Sequence, residues 1–296
     1  MNKNVKILVC CHKKDVMATE EPYFPIHVGK VLSQEELGIA GDNTGDNISD
    51  KNRSYCELTG MYWAWKNLKN VDIIGLCHYR RYFDFHEQYS PILPHKILPS
   101  SVFDKLDLSV PESIIHSVES GDVVVSKPLS FTYSVAIDYC ERYVSDDYRV
   151  MEQIVKQTQP ENYKRAFYEV MISGCQLSPY NMFLMRWDDF ENYCSWLFTL
   201  LAAIEKATSI DYYNAMQHRV YGFMAERLLD VWLVANKKRM IGKTVLKIED
   251  NPCPDHVWKP WRFMISKCYR DLLNKFVPKT PYERWHVPDE KPYYMS

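Results

Sequence analysis

The chain has 296 residues, 46% hydrophobic and 25% charged, an ordinary globular balance with enough apolar side chains to bury a large core. That balance excludes disordered, collagen-like and coiled-coil readings. Lys and Arg total 36 against 38 Asp and Glu, so there is no basic field to attract nucleic acid and no such partner is expected.

The first predicted element is a short strand, Val5–Cys11, apolar on both faces. Its apolar run is too short for a signal peptide, and no window reaches the ~20 apolar residues of a membrane span. A soluble or peripheral, cytoplasmic protein is expected. A Gly- and Asx-rich loop, Gly41–Ser49, leads to a helix in which Ser54 and Glu57 match a capping box and Leu58, Met61, Tyr62, Trp65 and Leu68 recur at helical spacing. Further strands are read at Val71–Cys77, Asp122–Ser126, Tyr180–Met185 and, late in the chain, Thr244–Ile248. A helix with the stripe Phe190, Cys194, Leu197, Leu201 and Ile204 follows Asp188 and Asp189. Another runs from about Gln217 to Ala235. Segments 84–113 and 249–260 are rich in Pro, Asp and His and read as loops. Strands alternating with helices predict an α/β fold with a mainly parallel sheet.

No composition shift divides residues 1–256, which are read as one domain. Residues 257–296 form a basic aromatic tail. In it Lys259, Arg262, Lys267, Arg270, Lys275 and Lys279 accompany an apolar stripe of Trp261, Met264, Ile265, Cys268, Leu272 and Phe276. Such a helix either packs on the domain or lies on an anionic membrane. The nine cysteines form no CxxC pair and mostly sit in apolar runs, the pattern of reduced, buried thiols rather than a zinc site.

Open parallel sheets bind ligands beyond the carboxyl ends of their strands, so the residues after each strand are the candidates. His12 and Lys13 follow the first strand and either meet an anion or form a solvated turn. His78, Tyr79, Arg80, Arg81 and Asp84 follow the second. Two adjacent guanidinium forks there suit a phosphate, with His78 as a donor to it or a metal ligand. Asp42, Asp46 and Asn47 in the Gly-rich loop either hold sugar hydroxyls or make turns; the loop lacks a P-loop ending and the dinucleotide fingerprint. Glu57 is a helix-capping acid or a ligand contact. Arg219 and Glu226 lie on the late helix, where Glu226 beside Arg227 is either a general base or half of a structural ion pair. No HExxH, Asp-x-Asp or GxSxG is present, and no metal residues are assigned.

The blocks GDNTGDNISDKNRSYCELTGMYWAWKNL, DIIGLCHYRRYF, YNMFLM with FENYCSWLF, and RVYGFMAERLLDVWL strongly resemble the domain of unknown function 4422 family, over about Lys6 to Val234. That family occurs in capsular, exopolysaccharide and O-antigen gene clusters and is regarded as glycosyltransferases. The resemblance implies a Rossmann-like GT-A fold and a UDP-sugar donor, with galactofuranose transfer among the family's associations. It also implies an undecaprenyl-diphosphate-linked glycan as acceptor, at the inner membrane face, where residues 259–279 would dock. Metal-dependent GT-A enzymes use Asp-x-Asp, and His78-Tyr79-Arg80 stands in that place here. A divalent cation, Mn²⁺ or Mg²⁺, therefore stays possible, with Arg80, Arg81 or Lys13 as alternatives for neutralising the diphosphate. On this reading His12, Lys13, Asp42, Asp46, Asn47, Glu57, His78, Tyr79, Arg80, Arg81, Asn181 and Arg219 contact substrate, and Trp187 with Asn181 bounds the acceptor pocket. Glu226, or less favourably Asp84, is the base if the anomeric carbon inverts.

Overall fold

The computed structural model describes residues 3–89, 91–250 and 259–285. Parts of the segments read as the 249–260 loop and the 257–296 tail, and Cys253, lie outside the described residues.

The strands are β1 (Val5–Cys11), β2 (Tyr23–His27), β3 (Ala40–Gly41), β4 (Ile73–His78), β5 (Arg81–Phe83), β6 (His95–Pro99), β7 (Val123–Ser126), β8 (Leu129–Ser130), β9 (Gln176–Leu177), β10 (Phe183–Arg186), β11 (Met240–Lys243) and β12 (Val245–Glu249). The helices are α1 (Asn52–Tyr55), α2 (Leu58–Asn67), α3 (Glu112–Glu119), α4 (Val135–Arg142), α5 (Ser145–Thr158), α6 (Glu161–Phe167), α7 (Trp187–Ala207), α8 (Val220–Ala235), α9 (Pro260–Leu273) and α10 (Pro281–Trp285). The main sheet runs β11-β7-β10-β4-β1-β2-β3, and β5, β6 and β12 extend it beside β4. β1 lies parallel to both β2 and β4, whereas β10 is antiparallel to β4 and β7.

The strands are apolar on both faces because both faces are covered. Leu8 and Cys10 of β1, with Ile74 and Leu76 of β4, join the core under α2 and α4 to α8. Ile7, Val9 and Cys11 alternate with them and join a second core with Tyr82, Phe83, Leu246 and Ile248. Cys10, Cys11, Cys77, Cys140 and Cys194 are buried, as the apolar context of the thiols requires, and no disulfide occurs among the described residues.

Some expectations are corrected. Residues 84–113 are not simply loop: they hold β6, a 3-10 turn at Ser100–Lys105 and the start of α3. Proline-rich sequence hid β6, which among the described residues pairs only with β12, at the sheet's edge, where missing N–H donors are tolerated. The strand read from Tyr180 begins only at Phe183, because Tyr180 and Asn181 have φ of 79° and 52° and form a left-handed turn. Helices α5 and α6 went unread, although Val150, Met151, Ile154 and Val155 form a buried stripe behind Asp146 and Asp147 in the first turn.

The capping box is absent as well. Ser54 lies inside α1, Cys56 breaks the helix at φ 53°, and Glu57 makes no cap hydrogen bond. The tail helix α9 meets the domain through Phe263, with its apolar stripe turned away. Phe263 is its buried residue, and Asn274, just past its C-terminal end, is buried as well, its Nδ2 donating to the Thr132 carbonyl at 3.5 Å. Trp261, Ile265, Leu272 and Phe276 of the apolar stripe face solvent, Phe276 at 79% exposure. No described helix is long and apolar enough to cross a membrane.

Candidate active site

The topology gathers chain segments that are distant in sequence. β1 and β4 run parallel, so Cys11 and His78 end at one edge of the sheet. β10 runs the other way, so the residues that precede it, Tyr180 and Asn181, come to that same edge. The His78 ring Nε2 lies 2.8 Å from the Tyr180 carbonyl. The N-terminal turn of α8 and the break between α1 and α2 close the opposite wall. Together they enclose a cleft of about 1090 Å³, at the upper end of the range for ligand clefts.

His12, Glu57, His78, Tyr79, Arg80, Arg81, Asn181, Arg219 and Glu226 all line this cleft. Sequences far apart in the chain therefore converge as expected of a site. Of the six non-glycine residues with positive φ among those described, Cys56, Tyr180 and Asn181 sit on the cleft walls. Backbone held in sparsely populated conformations collects where function over-determines it.

The cations fall into two kinds. Arg80 is engaged: its Nε donates to Asp15 at 2.7 Å, and Nη2 lies 2.7 Å from Asp250. Arg81 lies over the Tyr180 ring at 4.9 Å, and Lys247 lies 5.1 Å from the same ring. Among the described residues neither has a carboxylate at ion-pair distance. Arg219 donates through Nε to the Cys56 Sγ at 3.4 Å and lies over Phe223 at 5.3 Å. Cations placed around a cleft and not held in ion pairs are complementary to an anion.

The tautomer and charge of His78, expected as a phosphate donor or metal ligand, follow from its partners. A carbonyl only accepts, so the proton of the neutral ring sits on Nε2 and is spent on Tyr180. Burial, with Arg81 beside it, pushes the pKa down to about 3, so the ring stays neutral and Nδ1 is left as an acceptor.

Of the three carboxylates that line the cleft, Glu57, Glu226 and Glu249, the first two differ in how they are held. Glu226 is held at both oxygens: Oε1 accepts from the Tyr180 N–H at 2.5 Å, and Oε2 from Arg227 Nη1 at 2.5 Å. Glu57 accepts from Asn181 Nδ2 at 2.6 Å and has no ion-pair partner among the described residues. Burial raises its pKa, against the pull of Arg219 and Arg81.

Other expected residues lie elsewhere. Lys13 is exposed and Asp46 sits in an outer turn, accepting from the Tyr62 hydroxyl. Asn47 turns its Nδ2 onto the Gly45 carbonyl. Asp42 is fully buried and accepts the Gly29 and Lys30 N–H groups and the Ser49 hydroxyl, so it organises its loop. Asp84, also buried, accepts from Gln88 and Tyr89 and does not line the cleft. Trp187 lies at the opposite sheet edge, its N–H on the Asp72 carbonyl. Lys247 and Tyr180 were missed. The signal for Lys247 was one cation inside an otherwise apolar strand, VLKI. No His, Cys, Asp and Glu cluster among the described residues has metal-site geometry.

Asp230, one turn beyond Glu226, gives a pH signature. It is buried, one oxygen accepts from the Ser178 N–H at 2.8 Å, and the other has no partner. Burial raises its pKa to about 7. The unfolded carboxyl titrates near ~3.9, so between about pH 4 and 7 the folded chain retains a proton that the unfolded chain has lost. Stability contributed here is present below about pH 4 and is lost as pH rises toward about 7. Urea unfolding across this range is expected to show a negative slope that Asp230→Asn reduces; an unchanged slope would reject the assignment.

This α/β sheet, with a cation-lined cleft beyond its strand ends, matches the fold of a solved glycosyltransferase. Accordingly, the apo structure of the WbbM bifunctional glycosyltransferase superposes with a TM-score of 0.74 at 32% identity, over 86% of this chain. This chain spans 48% of that protein's chain. The chain belongs to the family described as Domain of unknown function (DUF4422), which matches residues 6–237. No curated protein matches it.

Proposed function

We propose that this chain is a glycosyltransferase that moves a sugar from a UDP-sugar, UDP-galactofuranose being the leading case, to a lipid-linked oligosaccharide. The setting is capsular polysaccharide, exopolysaccharide or O-antigen synthesis at the cytoplasmic face of the membrane. The observation that carries it is the trio Arg81, Arg219 and Lys247 around one cleft, none of them in an ion pair among the described residues. Glycosyl transfer leaves negative charge on the departing diphosphate, and fixed cations stabilise that charge where it develops. The bare Nδ1 of His78 suits a sugar hydroxyl, and Tyr143, stacked on Phe223 at 4.1 Å, offers a ring wall.

A thermal-shift panel of UDP-, GDP-, CMP- and dTDP-sugars, with and without Mn²⁺, tests the donor. UDP-sugars are expected to raise the midpoint without metal. A shift confined to another nucleotide, or one that requires Mn²⁺, would reject the UDP or the metal-free part of the reading.

The lipid-linked acceptor is supported by α9. Its exposed Trp261, Ile265, Tyr269 and Leu272 share a helix with Arg262, Lys267 and Arg270, a pairing of apolar insertion and positive charge that suits an anionic bilayer. Each large side chain buried in lipid contributes on the order of 1.5–3 kcal/mol. Trp261→Asp with Ile265→Asp is therefore expected to weaken binding to phosphatidylglycerol vesicles at least about tenfold. Sedimentation that is equal for both proteins would remove the membrane role.

A further inference from the structure

We propose that Glu57 is the group that takes the proton from the acceptor hydroxyl, and that Glu226 of α8 positions it. This rests on the glycosyl-transfer reading above.

The geometry separates the two acids. Glu226 has both oxygens committed, one of them to the guanidinium of Arg227, which is itself 2% exposed. A proton arriving on that carboxylate would have to displace a buried cation's partner, so Glu226 is a poor proton acceptor. Glu57 has only neutral donors, the Asn181 amide and its own backbone N–H, no salt bridge among the described residues, and a place on the cleft wall. The backbone is bent to put it there. Cys56 at φ 53° ends α1 and swings Glu57 toward the cleft, and Gly222 of α8 lets this bend approach, since a Cβ there would lie 3.1 Å from the Cys56 Sγ.

The donor to Glu57 is fixed as tightly. Asn181 Nδ2 also donates to the Gly222 carbonyl at 3.1 Å, which leaves its amide no freedom to swing away. Glu226 holds the Tyr180 N–H, the preceding residue of the same left-handed turn. Glu226 thus acts through Tyr180 and Asn181 on the orientation of Glu57. Burial raising the Glu57 pKa favours proton acceptance further, since a base works best with its pKa near the working pH.

In the step, Glu57 takes the hydroxyl proton and the acceptor oxygen's electron pair forms the new bond to the anomeric carbon. The bond from that carbon to the diphosphate oxygen breaks, and its electron pair leaves with the nucleoside diphosphate, whose charge meets Arg81, Arg219 and Lys247. The proton on Glu57 then passes to water. Attack opposite the leaving group inverts the anomeric configuration.

The test uses the full chain with a UDP-sugar that the wild type turns over. Glu57→Gln is expected to lower kcat at least about 100-fold while UDP affinity by calorimetry stays within about threefold, and to remove the acid limb of the kcat/KM pH profile. Glu57→Asp should recover part of the rate. Glu226→Gln should keep the acid limb and lose less. Glu57→Gln that binds UDP and transfers within about tenfold of wild type would overturn the proposal, as would loss of the acid limb in Glu226→Gln alone or a product that retains configuration. Wild-type chain that binds UDP but forms no glycosylated product from any donor would overturn the transfer reading itself, a result distinguishable from wild-type transfer that Glu57→Gln leaves intact.

Discussion

Replacing Arg81 by Ala is expected to lower kcat/KM for the UDP-sugar roughly 10- to 100-fold, whereas Arg80→Ala, next to it in sequence, should change it less than about threefold. The contrast follows from how each guanidinium is already employed. Arg80 sits between Asp15 and Asp250, so its charge is met before any ligand arrives. Arg81 lies over Tyr180 with no carboxylate partner among the described residues, on the wall opposite Arg219. A charge-assisted hydrogen bond to a diphosphate contributes about 1.5–3 kcal/mol, and each ~1.4 kcal/mol is a factor of ten in rate. Steady-state kinetics of both variants checks this. Equal losses for the two would mean that Arg80 releases its acids on binding, and no loss from Arg81→Ala would remove the diphosphate assignment.

The largest effect on stability is expected from Arg227→Ala, at about 3–5 kcal/mol. Arg227 is buried beneath the cleft, with Glu226 at 2.5 Å and Asp138 at 3.5 Å, and its guanidinium faces the rings of Tyr139 and Tyr143 at 5.4 and 5.2 Å. Removing it leaves Glu226 without a cation and Asp138 with Arg142 alone, in a poorly solvated place where an uncompensated buried charge costs far more than the pair contributes. Asp138 is the more exposed to this loss, because one of its oxygens has no hydrogen bond and burial already raises its pKa. Urea unfolding measures the change. A loss below ~1 kcal/mol would show that the carboxylates reach water or Arg142 instead.

Sequence reading succeeded where periodicity and chemistry agreed. The two-sided apolar strand Val5–Cys11, the stripe of α7 and the α/β class followed from pattern alone, and the HYRRYF block was rightly singled out as dense in polar groups. It failed where tertiary placement decides. Ser54 and Glu57 satisfy a capping pattern, yet α8 packs against Cys56 and the chain bends there instead. Arg80 and Arg81 are alike in sequence, and only the strand-end geometry assigns one to Asp15 and the other to the cleft. Asp42 looks like a sugar ligand in a Gly-rich loop until its buried hydrogen bonds to Gly29, Lys30 and Ser49 are seen. The strand from Phe183 is antiparallel, which no local pattern reveals, and that reversal is what brings Tyr180 and Asn181 into the cleft.

The most direct test of glycosyl transfer is a product assay. The full chain is incubated with a UDP-sugar and a synthetic lipid-diphosphate oligosaccharide in EDTA, and the acceptor is followed by mass spectrometry. Growth of the acceptor by one sugar with stoichiometric UDP release is the expected result. UDP release with the acceptor unchanged, or no consumption of any nucleotide-sugar with or without Mn²⁺, would contradict it.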